Sequence, residues 1–121
     1  ARKALPAAVL LLKLTPVPDI QKDVNNKLTT LLNDQLRHLL RAHDSVAQTE
    51  MNTFGIILEN LSHSSDAHTV ARKIMQSLEQ PVEIDGKMIQ VQGQIGVGIY
   101  PIDGDEAGQL MDKAETSILG T

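Results

Sequence analysis

The chain has 121 residues, 41% hydrophobic and 21% charged, with a net charge of −4 and no cysteine. That length suits one domain with a single core, the composition is near the globular average, and the missing cysteines exclude disulfides and thiolate chemistry and fit a reducing compartment. The 11 Lys and Arg residues are scattered, and there is one Phe and one Tyr, so neither a phosphate-tracking stripe nor a stacking platform points to nucleic acid as a partner.

Ala7 to Leu14, apolar until Lys13, reads as a strand buried on both faces at the centre of a sheet. Its run from Ala7 to Leu12 is far too short to span a bilayer, which takes ~20 residues. Lys13 closes the run and no small-residue cleavage site follows, so it is not a signal peptide. A cytoplasmic domain without membrane contact is expected. The chain opens without Met and enters its first strand almost at once, so a piece of a longer protein is expected.

Pro16 and Pro18 stop the strand. Ile20, Val24, Leu28, Leu31, Leu32, Leu36, Leu39 and Leu40 then recur at helical spacing, with Asp19 as cap candidate and Asn25-Asn26 as a point where the helix could break in two. Ser45 to Gln48 and Phe54 to Leu58 read as two strands joined by a loop longer than the two-residue minimum. Ser64, Ser65 or Asp66 can cap a helix whose apolar positions run from Ala67 to Leu78, closed by Pro81. Val82 to Ile84, Asp85-Gly86 and Met88 onward form a hairpin, because Asp-Gly supplies the positive backbone angles of a type I′ turn. Gly93, Gly96 and Gly98 loosen the long strand that runs to Tyr100, and Ala107 to Ile118 forms a last short helix. The order implies an α+β fold, a mixed sheet of about five strands flanked by helices plus a hairpin.

Two strings carry a resemblance. "LEQPVEIDGKMIQVQGQIGVGIYPIDG", residues 78–104, resembles a segment of the GGDEF domain, the fold of diguanylate cyclases, with Pro81, Gly86, Ile95, Gly96, Tyr100, Pro101 and Gly104 in register. "RAHDSVAQTEMNTF", residues 41–54, is similar to that family's Arg-x-x-Asp motif followed by its signature turn, placing Phe54 at the signature's last position. The resemblance covers nearly the whole chain. It implies a GGDEF-like nucleotidyl cyclase fold, a place in cyclic di-GMP signalling, and an EAL domain as the usual neighbour.

Cyclases of this family join two GTP molecules, using carboxylates to hold divalent metal against the triphosphates. In the family register, Glu50 and Met51 replace the glycines that let nucleotide approach. Asn52 and Thr53 replace the acids, and a neutral amide and hydroxyl are poor ligands for a hard cation. Lys13 stands at the lost metal position and Thr15 at a second acid, and an ammonium repels the ion it should bind. Between Asp19 and Leu28, where the family reads guanine, the chain is shorter by roughly one helical turn. The resemblance therefore implies a degenerate domain with no catalytic residues, no metal and no cofactor.

Arg41 and Asp44 match the motif that binds cyclic di-GMP away from the active site, where a guanidinium forks a guanine edge or phosphate and a carboxylate accepts from guanine. A local ion pair at a helix end explains the same two residues. Arg37 could assist a ligand, and Arg72 is a further candidate. His38, His43, His63 and His68 lack metal-ligand spacing, and surface or capping roles are expected. Met75, Met88 and Met111 read as core filling. Three readings follow: an inactive regulatory module contacting a neighbouring EAL domain, a partner signalling protein or a second copy; a receptor for cyclic di-GMP, or for GTP in a remnant pocket; and an active cyclase.

Overall fold

The computed structural model describes residues 5–119. β1 (Ala7–Leu14) is the expected strand, and its alternation divides the core. Ala8, Leu10, Leu12 and Leu14 enter one apolar cluster, while Leu11 faces a second on the opposite side. Lys13 is the one exposed position of β1.

α1 (Lys22–Leu39) is one uninterrupted helix, so Asn25-Asn26 does not break it. Asp19 is not its cap; it sits at φ 59 in the preceding turn, and Gln21 occupies the cap position without a side-chain hydrogen bond. Leu28, Leu32 and Leu36 pack on the sheet, which holds the helix through the two asparagines.

β2 (Ser45–Glu50) and β3 (Thr53–Leu58) are longer than the sequence suggested, and the loop between them is only Met51-Asn52. A register shift between Gln48 and Glu50 absorbs the extra residue, as a bulge does. α2 (Asp66–Ser77) follows, with Ser65 at its cap position making no side-chain bond. Asp66 closes the turn instead, accepting from the His63 N–H at 3.1 Å.

β4 (Val82–Ile84) and β5 (Lys87–Ile89) form the expected hairpin, with Asp85 at φ 52 and Gly86 at φ 80. The strand beyond does not run on. Gln90 to Gln92 interrupt it: the Gln90 amide donates to the Leu78 carbonyl at 3.1 Å, tying the break to the end of α2. β6 (Gly93–Tyr100) then joins the main sheet and α3 (Ala107–Leu119) follows.

The main sheet has the order β2-β3-β1-β6 and every neighbouring pair is antiparallel. The expectation of a mixed sheet of about five strands is corrected to four antiparallel strands plus the separate β4–β5 pair. The α1 connection does leave β2 parallel to β1, but β3 lies between them. α1 and α2 cover one face and α3 covers the β1–β6 half of the other.

Gly96 and Gly98 do not loosen β6; they admit α3. A Cβ on Gly96 would lie 1.8 Å from the Ala114 carbonyl oxygen, and one on Gly98 2.1 Å from that of Leu110. Met75 and Met111 pack against the two clusters as expected, but Met88 is 64% exposed and fills no core. It pairs with Glu83 on the outer face of a two-stranded hairpin.

Gly98→Ala is expected to lower unfolding stability by about 2–3 kcal/mol in urea, because the helix backbone must move off the strand. Gly108→Ala, where nothing lies within 4 Å, is expected to be neutral or stabilising by up to about 1 kcal/mol.

Candidate functional site

Two places were marked by the sequence: the β2–β3 tip with Lys13, and the Arg41–Asp44 corner. They lie at opposite ends of β3, because Glu50 pairs with Thr53 at one end and Glu59 meets Asp44 at the other.

At the tip, register brings the suspected residues together. Lys13 stands opposite Thr53 on one side and Gln94 on the other. The Leu14 N–H donates to the Asn52 carbonyl at 2.7 Å, and the Gln48 amide to the Met51 carbonyl at 2.8 Å. Phe54, fully buried opposite Leu12, anchors the base of the turn. Neither Met51 nor Asn52 has a positive φ, so this turn requires no glycine. Met51 is 60% exposed. Across the end of the sheet the row reads Glu50, Thr53, Lys13, Gln94. One carboxylate at the edge, a hydroxyl, an ammonium and an amide do not fit a hard divalent cation. Among the described residues, no group of three or more His, Asp or Glu side chains could hold a metal.

The other corner is built around a carboxylate. Asp44 is 4% exposed. Its Oδ2 accepts from the Arg41 backbone N–H at 3.0 Å and from Arg41 Nε at 3.1 Å. Its Oδ1 accepts from Arg41 Nη2 at 3.1 Å and from the Glu59 N–H at 3.3 Å. Four donors fill a carboxylate's acceptor capacity. Burial pushes the Asp44 carboxyl up, but the bonds from the Arg41 side chain, the Arg41 backbone and the Glu59 backbone outweigh it and hold the group below its ordinary value. The same side-chain bond raises Arg41 above its ordinary value.

Arg41 Nη2 also donates to the Glu59 carbonyl at 2.6 Å, so the pair bridges the loop before β2 to the loop after β3. Nη1 has no partner among the described residues and the side chain is 46% exposed. Arg37, expected to assist a ligand, donates from Nη1 to the Asp44 carbonyl at 3.0 Å and braces the same corner. Beside it lies a cleft of about 270 Å³ bordered by Arg41, Asp66, Thr69 and Lys73. Arg72 does not line this cleft; it borders a different one with Ile95 and Val97 of β6. Lys73 is the residue the sequence reading missed, one position and therefore about 100° around the helix from Arg72.

The histidines take local roles where the structure shows one: His38 Nδ1 donates to the Asp34 carbonyl at 2.7 Å. Among the described residues no helix is long and apolar enough to cross a membrane.

Comparisons place this architecture. The family model described as "Diguanylate cyclase, GGDEF domain" matches residues 22–119. The chain is 28% identical over 92 residues to the cyclic di-GMP phosphodiesterase NbdA of Pseudomonas aeruginosa, covering 76% of this chain and 12% of that protein. It is also 28% identical over 85 residues to the bifunctional diguanylate cyclase/cyclic di-GMP phosphodiesterase MucR of the same organism, covering 70% of this chain and 12% of that protein. The chain thus spans about an eighth of these relatives' length. Among solved structures, an EAL/GGDEF domain protein from M. capsulatus superposes with a TM-score of 0.88 at 25% identity, covering 98% of this chain and 79% of that one.

Asp44→Ala is expected to destabilise the fold by about 2–3 kcal/mol, since Arg41 and two backbone N–H groups lose their acceptor. Because the folded-state value lies below the ordinary 3.8, the ionised carboxylate stabilises fully above that value and its contribution fades as pH falls through the lowered one. Acid titration of stability should therefore fall less steeply in Asp44→Asn than in the parent over roughly pH 5 to 2.

Proposed function

The chain belongs to the GGDEF family, and from that premise we propose that it is a catalytically inactive member that acts by contact within a cyclic di-GMP signalling protein. The observation that carries this reading is the row at the tip. Lys13 and Thr53 face each other across β1 and β3, with Asn52 tied to Leu14 beside them. In the family register these are the positions of the metal-binding acids. A cation and neutral groups there cannot neutralise a triphosphate through a bound ion or activate an attacking hydroxyl.

The relatives' names support an EAL phosphodiesterase-type domain as the neighbour that such a module would hold or regulate. A partner signalling protein or a second copy would use the same kind of surface, and exposed Met51 on the tip and Ile57 on the α3-side face of the sheet are the apolar side chains it offers. The cyclic di-GMP reading is the weaker one. Asp44, which would have to accept from guanine, already has four donors.

The test is incubation with GTP and Mg²⁺ or Mn²⁺, with nucleotide products separated by chromatography. No cyclic di-GMP above the protein-free background is expected, and accumulation of product that grows with protein concentration would overturn the reading.

A further inference from the structure

The main sheet has two edges, β2 and β6. Exposed edges invite pairing with other chains and are guarded by charge, proline, bulges or shortness. β2 ends on Glu50 and carries the register shift between Gln48 and Glu50. β6, GQIGVGIY, is eight residues long with no charge and no proline. The Thr15 N–H donates to the Gln92 carbonyl at 2.8 Å, which sets the even-numbered residues of β6 toward β1. Gly93, Ile95, Val97 and Ile99 therefore turn their backbone N–H and carbonyl groups outward. Ile99 is closed: its N–H donates to Asp103 Oδ2 at 2.8 Å and its carbonyl accepts from the Asp103 N–H at 2.7 Å. Gly93, Ile95 and Val97 have no outward backbone partner among the described residues.

That open row lies along a trough. Gly96 and Gly98 face α3, while the side chains of Ile95 and Val97 join the cluster under α2. A cleft of about 230 Å³ follows the edge there, between Arg72 and Met75 of α2 and Ser117 of α3, with Ile95 and Val97 in its wall. Toward the start of the strand a second cleft, of about 520 Å³, runs past Gly93 and Gln94 to Glu79. Met75 borders both, so the two form one trough. Its ends carry opposite charge. Arg72, which donates from Nη2 to Thr69 Oγ1 at 3.4 Å, stands with His68 at the Val97 end, and Glu79 stands at the Gly93 end. Neither Arg72 nor Glu79 is in an ion pair among the described residues.

We propose that the edge of β6 docks an extended segment of a partner protein, which adds to the main sheet as a further strand. The segment is apolar in its middle, cationic where it passes Glu79 and acidic where it passes Arg72. From Gly93 to Val97 the open row spans about 13 Å, so roughly five residues of the partner fill it. Main-chain bonds to Gly93, Ile95 and Val97 hold the segment, and the two charges fix its direction. A second copy of β6 is a poor occupant: Val97 is only 7% exposed, set back between two helices, and two recessed edges do not meet. The proposal rests on the reading of the domain as a contact module and specifies where that contact is made.

Titration of two end-capped pentapeptides, lysine-valine-threonine-valine-glutamate and its reverse, into the ¹⁵N-labelled chain tests it through amide chemical shifts. One of the two is expected to bind saturably in the millimolar range, with the largest shifts and slowed amide exchange at Ile95 and Val97. The same peptide N-methylated at its three central residues should lose saturable binding, because it cannot donate to the edge. Arg72→Glu should weaken the unmethylated peptide about threefold or more. Exchanging the charges, with Arg72→Glu and Glu79→Lys together, should make the reversed peptide the better ligand; both side chains are exposed, so the fold is kept. No saturable binding of either peptide overturns the proposal, as does binding that shifts other residues or that N-methylation leaves intact. A dimer of the chain that either peptide disperses would assign the edge to a second copy and overturn the stated occupant. Cyclic di-GMP made from GTP and Mg²⁺ would sink the non-catalytic reading while leaving binding at the edge standing.

Discussion

The domain depends on β1 being paired on both sides. β3 and β6 bond to it in unbroken antiparallel register, and its even and odd side chains serve two different helix layers. A one-residue slip would move Leu10 and Leu12 out of the main cluster and bring Lys13 into it. The register that satisfies the core therefore also decides what stands at the end of the sheet. Lys13 is set between Thr53 and Gln94 because Leu12 must face Phe54 and Ile95.

With the fold fixed in this way, the residues at the end of the sheet are free to vary without disturbing it. The tip of β2–β3 is held by the Leu14–Asn52 main-chain bond, the Gln48 side-chain amide and Phe54, none of which needs an acidic side chain. Its backbone does not enter the left-handed region, so bulky residues are tolerated where close nucleotide approach would need glycine. The Arg41–Asp44 pair illustrates the converse. A motif that could bind a ligand is drawn into the corner joining the α1–β2 and β3–α2 loops, where the same donors and acceptors close the fold.

Much of this was legible in the sequence. The run from Ala7 to Leu14 fixed the central strand, the Asp85-Gly86 pair fixed a hairpin turn, and spacing of leucines gave the first helix. What escaped was set by tertiary contact. Gly96 and Gly98 look like strand breakers in isolation, and only the approach of Ala114 and Leu110 shows why a side chain is excluded there. The interruption at Gln90 to Gln92 depends on an amide reaching the end of α2, which no local pattern encodes. Of the candidate site, the sequence marked Lys13 and the tip through family register, and strand pairing sets Lys13 opposite Thr53. The saturation of Asp44 was not, because a carboxylate of the same type can be paired or open according to what folds against it.

The central claim is that the Arg-x-x-Asp pair belongs to the fold and that this domain works by contact rather than as a dinucleotide receptor. Calorimetric titration of cyclic di-GMP into the chain, with Arg41→Ala alongside, tests it most directly. The account predicts no saturable heat in the micromolar range for either protein. Micromolar binding by the parent that Arg41→Ala abolishes would contradict it and make the corner a receptor site.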